Sequence, residues 1–402
     1  MSNKVCSEDF GVELEDDQLQ LLQKSGLHFL PRGWKIGIVS DYFELGRGRV
    51  ISRPYIHANP GNYPVFSSQS QNNGEMGKIA TYDFEGNYFT WTTDGAYAGS
   101  VFFRQGRFNC TNVCGTGKAI DESKIDAQFA SYYLATQAKK HVSYVGNPKL
   151  MNNIFAQIPL AIPPLPEQKK IAKVLSGIDC LLEKVNSLYS KQKILTRAIS
   201  IDLMTCGIGQ KNFIDCKQGK TPDDWSICTL GSIFSLTSGR SKPKNLLSSV
   251  PTSGSEIPVY GGNGITGYAT DSLLDSPTVT IGRVGEYCGA VHLTPKQSWV
   301  TDNALYINKK VSEFDLKFMY YFLDFCDLSK LRKQGGQPLV SQKPIMELEV
   351  ALPPIEEQRR IACAMDSIAK NFSDLQILNH KIQGLKMSIS TDLLSGRKRV
   401  SI

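Results

Sequence analysis

The sequence predicts a mixed α/β fold in which two similar domains are separated by two long antiparallel helices. The helices form an intramolecular coiled coil with pseudo-twofold symmetry. Most of the chain superimposes on itself at an offset of about 190 residues. Each copy begins with short aromatic and β-branched runs broken by glycine turns, and each ends in a heptad pattern. A length of 402 residues also fits two domains rather than one.

The composition is typical of a globular protein. Hydrophobic residues make up 41% of the chain and charged residues 21%, which excludes a disordered or collagen-like polymer. Residues 1–20 are acidic and polar, and no run of about eighteen apolar residues occurs. We therefore expect a cytoplasmic protein without membrane association. A net charge of +7 is compatible with a polyanionic partner.

The cysteines and histidines predict neither a disulfide framework nor a metal. Ten cysteines are scattered along the chain, so reduced thiols are expected. Cys110 and Cys114 are spaced like half of a zinc site, but no second pair follows at a matching distance. The five histidines form no metal-binding motif. We expect no metal and no cofactor.

The repeat is clearest where each long helix starts. The stretch Pro163-Pro-Leu-Pro-Glu-Gln-Lys-Lys-Ile-Ala172 returns as Pro353-Pro-Ile-Glu-Glu-Gln-Arg-Arg-Ile-Ala362 without a gap. The rest of each copy repeats more loosely, including Gly48-Arg49 with Gly239-Arg240 and the Gly95, Tyr97 and Gly99 pattern with Gly285, Tyr287 and Gly289. Most intervening residues differ, which predicts one scaffold carrying two different surfaces.

The elements follow in order along the chain. Residues 1–30 hold six acidic and two basic residues, which predicts an acidic arm. Strand-like runs and a helical segment in each copy predict α/β domains. The predicted boundaries are an acidic arm at 1–30, a first domain at 31–157, a central region with a long helix at 158–207, a linker at 208–221, a second domain at 222–348, a C-terminal region with a long helix at 349–396 and a basic tail at 397–402.

Each long helix carries apolar residues at heptad positions a and d over five heptads. Prolines precede both helices, and Gly207 and Gly396 suit their ends. The alternative is a helix that lies on a globular core. The predicted seam residues are Ile171, Val174, Ile178, Leu181, Val185, Leu188 and Leu195 in the first helix, and Ile361, Ile368, Leu375, Leu378, Ile382 and Leu385 in the second.

Two related domains with different surfaces on a rigid spacer predict a protein that reads two sites at a fixed distance. The span from Ile171 to Leu203 is roughly 50 Å of helix. Double-stranded DNA suits this geometry, because dimeric readers bind half-sites about one helical turn apart.

These motifs resemble those of the specificity subunit of type I restriction–modification enzymes. They are the repeated Pro-Pro-x-x-Glu-Gln-[Lys/Arg]-[Lys/Arg]-Ile-Ala start of a long helix, preceded by a domain that opens with Pro-x-x-Trp and contains a Thr-[Asn/Asp] step. The resemblance covers residues 31–396. It implies two target recognition domains, each reading one half of a split DNA sequence, and helices that dock two methyltransferase subunits. Restriction and translocation subunits would join through that complex.

The resemblance implies a subunit without catalysis, and the residues agree. An adenine methyltransferase needs Asn/Asp-Pro-Pro-aromatic, whereas the nearest string, Asn59-Pro-Gly-Asn-Tyr63, lacks the second proline. The string Gly115-Thr-Gly-Lys118-Ala119 resembles a P-loop but lacks its first glycine and its Ser/Thr. We interpret it as a turn, and the chain as no enzyme.

The candidates for DNA contact are basic and amide residues on loop-like stretches. Arg49 and Arg240 stand out because both copies keep the Gly-Arg step. The basic pairs Lys169-Lys170 and Arg359-Arg360 at the helix starts could meet DNA or a partner. The candidates are Arg47, Arg49, Arg53, Gln69, Gln71, Asn72, Arg104 and Lys118 in the first domain, and Arg240, Lys242, Lys244, Asn263, Arg283, Lys333 and Gln334 in the second.

Two other functions remain as alternatives. One is a non-catalytic, two-headed protein-binding scaffold on a coiled coil, for which we would expect an acidic or neutral recognition surface. The other is a fused methyltransferase and specificity protein, which the missing methyltransferase motif disfavours.

Overall fold

The computed structural model describes residues 14–68, 71–216, 219–333 and 338–400. It confirms the mixed α/β class, with a long helix at the end of each copy. Contacts divide the chain into two compact units, residues 1–185 with 378–402 and residues 186–377. Each unit therefore contains one globular domain and a part of each long helix.

The first unit follows the predicted order of strands and helices. Its strands are β1 Lys35–Ile38, β2 Phe43–Arg47, β3 Pro60–Phe66, β4 Glu75–Ile79, β5 Phe84–Thr92, β6 Val101–Cys110, β7 Cys114–Ala119 and β8 Pro159–Ile162. Its helices are α1 Asp16–Ser25, α2 Val39–Tyr42, α3 Arg53–Ala58, α4 Ala127–Gln137 and α5 Asn152–Ala156. The long helix α6, Leu165–Cys206, starts in this unit and continues into the second.

A six-stranded sheet forms the centre of the first unit, in the order β2-β7-β5-β6-β3-β4. Strands β3 and β6 are parallel, with Val65 opposite Asn109, and the other neighbours are antiparallel. Strands β1 and β8 form a separate antiparallel pair. Trp91 stacks on Phe155 at 3.9 Å between ring centroids, so the sheet packs directly on α5.

The second unit repeats most of these elements in the same order, but its described residues include no α-helices that correspond to α1 and α3, and they add two strands at the start. Its strands are β9 Phe213–Cys216, β10 Gly219–Pro222, β11 Ser226–Thr229, β12 Phe234–Ser238, β13 Ile257–Gly261, β14 Gly264–Ala269, β15 Val279–Gly282, β16 Val291–Leu293, β17 Trp299–Val300, β18 Ala304–Lys310 and β19 Glu349–Leu352. Its helices are α7 Leu230–Ile233, α8 Leu316–Phe325, α9 Gln342–Met346 and the long α10 Ile355–Leu394, which continues into the first unit.

The strand pairing shows that the fold itself is duplicated. Strands β12-β18-β15-β16 pair as β2-β7-β5-β6 do, and the parallel pair β13–β17 matches β3–β6. The long strand β6 corresponds to the two short strands β16 and β17. Pro295 lies between these two, and a proline cannot donate a ladder hydrogen bond, which explains the interruption.

The segments outside the two domains are also structured. Of the predicted acidic arm, residues 16–25 form α1, whose buried Leu22 belongs to the core of the first unit. Part of the predicted acidic arm is therefore a helix that packs on this core, while residues 1–13 lie outside the described residues. The predicted linker contains the antiparallel pair β9–β10. No helix in the described ranges is long and apolar enough to cross a membrane.

Candidate DNA interface and partner-facing helices

In the first unit, Arg47 is the last residue of β2, and Arg49 lies two residues further on. The Arg47 guanidinium donates to the Asn112 carbonyl at 2.6 Å and lies 3.4 Å from the Asp94 carboxylate. Arg49 pairs with Asp83 at 2.8 Å, which raises the pKa of the guanidinium above its ordinary value. Both side chains stay about 40% exposed, at 39% and 42%. They are held in place yet remain accessible to a ligand.

The Gly-Arg step has the same backbone geometry in both units. The Arg49 amide donates to the Cys110 carbonyl at 3.2 Å, and the Arg240 amide donates to the Val300 carbonyl at 2.9 Å. A Cβ atom on Gly48 or on Gly239 would lie within 2.2 Å of those same carbonyl oxygens. Glycine is therefore required because two backbone segments meet there, and the step places an exposed arginine beside them.

The candidates of the second unit lie in three settings. Lys242 lies 3.6 Å from the Trp299 ring centroid and donates to Asp271 at 2.5 Å, so only 7% of its side chain is exposed. Arg283 directly follows β15, and its guanidinium donates to the Ser238 hydroxyl at 3.4 Å. Asn263, in the turn between β13 and β14, shares a surface cavity of about 290 Å³ with Tyr287.

The remaining candidates are mostly exposed. Gln69 and Gln334 lie outside the described residues, and the side chain of Gln71 is not described. Lys118 lies on β7, so the P-loop-like string is a strand and our interpretation of it as a turn was wrong. The exposed candidates are Arg53, Asn72, Lys118, Lys244 and Lys333.

Arg104 was wrongly predicted to contact DNA. It is only 4% exposed, its guanidinium lies 3.6 Å from the Phe66 ring centroid, and its Nε donates to Thr90 at 3.1 Å. Burial lowers the pKa of this arginine to about 10. The stretch is strand β6, and the Phe66 ring of β3 covers the Arg104 side chain.

A buried glutamate and glutamine fasten the start of each long helix to its own domain. Gln168 accepts from the Asp126 amide at 2.8 Å and donates to the Pro163 carbonyl at 2.8 Å. Gln358 makes the matching bonds to Asp315 and Pro353 in the second unit. The repeated Glu-Gln pair of the sequence is therefore a structural anchor.

The glutamates differ between the two units. Glu167, fully buried, accepts from Trp34 at 3.3 Å and forms a two-pronged ion pair with Arg399 at 2.5 and 2.6 Å. Its counterpart Glu357 accepts instead from Trp225 at 3.1 Å and from two donors that follow α6, the Ile208 amide and the Gln210 side chain, each at 2.9 Å. The predicted basic tail thus begins as part of the first unit's core.

Within each unit the two long helices pair in antiparallel fashion. In the first unit Lys386 pairs with Asp179. In the second, the Tyr189 ring stacks on Phe372 at 4.6 Å between centroids and its hydroxyl accepts from Gln376 at 3.0 Å. The expected antiparallel direction is therefore observed inside each unit.

The structure buries the predicted a positions of the coiled-coil seam but not the predicted d positions. Residues of the predicted a row, such as Ile171, Ile178 and Val185, are buried or half-buried, but those of the predicted d row are exposed. The inward positions continue four residues after each a position, at Leu175, Leu182, Tyr189, Thr196 and Leu203 in α6 and at Met365, Phe372, Asn379, Lys386 and Leu393 in α10.

The displaced d row leaves apolar side chains on the outer surface of both helices. On α6, Val174, Leu181, Leu188 and Leu195 are 38–54% exposed at seven-residue spacing. On α10, Leu378 and Leu385 are 44% and 59% exposed. Single exposed apolar residues are ordinary, whereas a regular row along one helix is typical of a surface that meets another protein.

One repeated feature, an exposed tyrosine in each domain, was visible in the sequence but was given no role there. Tyr97 and Tyr287, 51% and 57% exposed, lie at the same point of the turn after β5 and after β15. The repeat itself was the signal, because an exposed aromatic residue kept in both copies is unexplained by packing. Among the described residues, no group of three or more potential metal ligands occurs.

A duplicated α/β domain with accessible arginines on matching loops, joined to paired helices, defines a two-headed recognition protein. The family model described as the type I restriction modification DNA specificity domain matches residues 31–189 and 222–386. A putative type I specificity subunit of Mycoplasma pneumoniae is 30% identical over 338 residues, covering 84% of this chain and 89% of the relative. The chain belongs to the type I restriction–modification DNA specificity family.

Two solved structures share the fold. The type I restriction–modification S subunit of M. genitalium superimposes with a TM-score of 0.66 at 17% identity, covering 90% of this chain and 96% of the other. A chain from a structural study of type I complex assembly and conformational transition gives a TM-score of 0.51 at 14% identity, covering 91% and 99%.

Proposed function

We propose that this chain is the non-catalytic DNA-recognition subunit of a cytoplasmic type I restriction–modification complex. Each domain reads one half of a bipartite target in double-stranded DNA. The observation that carries this proposal is the family match in both copies, at 31–189 and 222–386. Two specificity domains in one chain suit a target with two different halves.

The accessible cations support DNA as the ligand. Arg47 and Arg49 in the first unit and Arg240 in the second lie beside glycine-dependent backbone crossings, where a phosphate or a base edge can approach closely. Exposed Arg53, Lys118, Lys244 and Lys333 add positive charge to these domains. A protein-binding scaffold would not need basic residues at matching places in two otherwise different surfaces.

The exposed rows on α6 and α10 support docking of two methyltransferase subunits. These rows are apolar and regular, and they lie on the elements that repeat best between the two copies. The two methyltransferases would supply catalysis, and the restriction and translocation subunits would join through them. The solved relative from the complex-assembly study supports an assembled partnership of this kind.

Salt-dependent DNA binding tests this function. We would titrate duplex DNA with the chain alone and with its methyltransferase at several salt concentrations. The logarithm of the affinity should fall linearly with the logarithm of the salt concentration, because lysine and arginine side chains release counterions from the phosphates. No binding by either preparation, at low salt, would favour the protein-binding scaffold. Sequencing of methylated sites with and without the gene would give the split target.

A further inference from the structure

One guanidinium occupies the same place in both domains, although it comes from different strands. In the first unit it belongs to Arg47, at the end of β2, and lies 3.5 Å from the Thr93 hydroxyl after β5. In the second unit it belongs to Arg283, after β15, and donates to the Ser238 hydroxyl at the end of β12 at 3.4 Å.

The strand registers show that these positions are equivalent. Arg47 is paired with Gly115 in the first sheet, and Ser238 is paired with Leu305 in the second. Thr92 is paired with Cys114, and Gly282 with Ala304. Residues 114 and 115 return as 304 and 305 in the repeat. Arg47 therefore corresponds to Ser238, and Thr93 corresponds to Arg283. The arginine lies on a different strand in each domain but at the same location.

An exposed tyrosine adjoins this location in each domain, on a turn with the same hydrogen bonds. The Gly99 amide donates to Thr92 at 2.9 Å, and the Gly289 amide donates to Gly282 at 2.8 Å. The amides of Gly95 and Gly285 likewise donate to prolines, Pro148 and Pro338, at 2.9 and 3.0 Å. The four glycines have φ values between +80° and +97°, which favour glycine.

These turns present Tyr97 and Tyr287 on a fixed backbone. Arg47 touches the first turn through Asp94, and Arg283 directly precedes the second turn. A feature kept on two surfaces that otherwise differ suits a target that is common to both half-sites. The sugar–phosphate backbone of DNA is common to every sequence, and arginine and tyrosine both bind it.

We propose that Arg47 with Tyr97, and Arg283 with Tyr287, form one sequence-independent DNA-backbone anchor in each domain. The guanidinium binds a phosphate and the tyrosine contacts the neighbouring sugar or phosphate. The anchor rests on the proposed DNA-recognition function and adds to it that different residues bind the DNA backbone and read the bases. The anchor fixes where each domain lies on the duplex, while other residues read the bases.

The exchange of strands supplies a direct test. In the complex with methyltransferase, Arg47→Ser and Arg283→Thr should each lower affinity for duplex DNA about fivefold or more and reduce the salt slope by about one. The strand-exchanged pairs, Arg47→Ser with Thr93→Arg and Arg283→Thr with Ser238→Arg, should restore both. Binding to a pool of random duplexes, followed by sequencing of the bound fraction, measures affinity and base preference together.

The tyrosines and matched controls complete the experiment. Tyr97→Ala and Tyr287→Ala should weaken binding to all sequences equally, and the matching Phe variants separate the ring from the hydroxyl. Ile120→Ala and Val311→Ala should bind as the wild type does. These exposed residues follow β7 and β18, at the opposite end of each sheet from the anchor.

Three outcomes would overturn the anchor. Unchanged affinity of the arginine and tyrosine variants, or a changed base preference at one half-site, would contradict a sequence-independent contact. Loss of methyltransferase from the purified complex would identify the turn as a protein-docking site instead. If the wild-type complex binds no duplex at all, the proposed function itself fails, which is a distinguishable result.

Discussion

The ion pair between Glu167 and Arg399 shows how much a single residue contributes to this fold. Glu167 is fully buried, and its only cationic neighbour among the described contacts is Arg399, whose side chain is 40% exposed. Sequence reasoning found Glu167 through the repeat but gave Arg399 no role beyond a basic tail. The partner could not be foreseen, because the two residues are far apart in the chain.

We expect Glu167→Gln to destabilise the protein by about 1–3 kcal/mol, because a charged hydrogen bond is lost inside the core. The partial exposure of Arg399 reduces the cost, since water can solvate the remaining charge. Thermal unfolding measures the change. In a double-mutant cycle with Arg399→Ala, additive effects would mean that the two residues do not interact in solution.

The second prediction for single residues concerns DNA binding by Arg49 and Arg240. Arg49→Ala and Arg240→Ala should each weaken DNA binding, with a base contact costing about 1–3 kcal/mol and relaxing one target position. A phosphate contact would instead lower the salt slope by about one. Binding isotherms at several salt concentrations distinguish the two. Folded variants with wild-type affinity would show that these exposed arginines are only solvated.

At the scale of the element, the existence of the long helices was predictable, but the phase of their apolar rows was not. Leu175 and Leu182 lie next to Val174 and Leu181, so two apolar rows run side by side at heptad spacing. Sequence alone cannot choose between them, because the choice depends on which face meets the other helix. The prediction that Arg104 contacts DNA failed for a similar reason, because the phenylalanine that covers it comes from a strand distant in sequence.

The exposed row of α6 predicts where a methyltransferase binds. Leu188→Asp should reduce copurification of the methyltransferase at least tenfold while leaving the melting temperature nearly unchanged, because Leu188 is 54% exposed. Ser190→Asp, at an exposed position on another face of the same helix, adds the same single negative charge and serves as the control. Full assembly by Leu188→Asp would remove this row from the interface.

The helices also predict a measurable spacing. Seven residues inserted after Val185 and seven after Leu375 preserve the heptad phase and add about 10 Å to each helix. The half-sites should then move apart by roughly three base pairs, with some loss of affinity because the second site also rotates about the duplex axis. Methylated-site sequencing reads the spacer. An unchanged spacer at full activity would show that the helices do not set the distance.

At the scale of the whole molecule, the duplication was the most informative property of the sequence. It predicted matching α/β domains, and the strand registers agree at an offset of 190, as with Cys114 and Ala304 opposite Thr92 and Gly282. It could not show the exchange of Arg47 for Arg283, because equivalent positions hold different residues. The strand register shows that the two arginines nevertheless lie at the same location.

We expect the two domains to read their half-sites independently. Replacing residues 222–348 with the equivalent span of another family member should change one half of the methylated target and leave the other half intact. Glu357, which lies outside this span and accepts from Trp225 inside it, belongs to the repeated framework and should accept the equivalent tryptophan of the new span. Sequencing of methylated sites provides the measurement, and a change in both halves would contradict independent reading.

The contact between Arg399 and Glu167 also makes the first unit sensitive to the loss of Arg399 and the residues beyond it. Val400 packs against the core, and Arg399 donates to the Arg32 carbonyl at 3.1 Å as well as to Glu167. A premature stop codon at position 399 would leave the buried Glu167 carboxylate, beside Trp34, without its Arg399 counter-ion. Two residues far from the first domain in the chain would thereby lower the stability of that domain when they are lost.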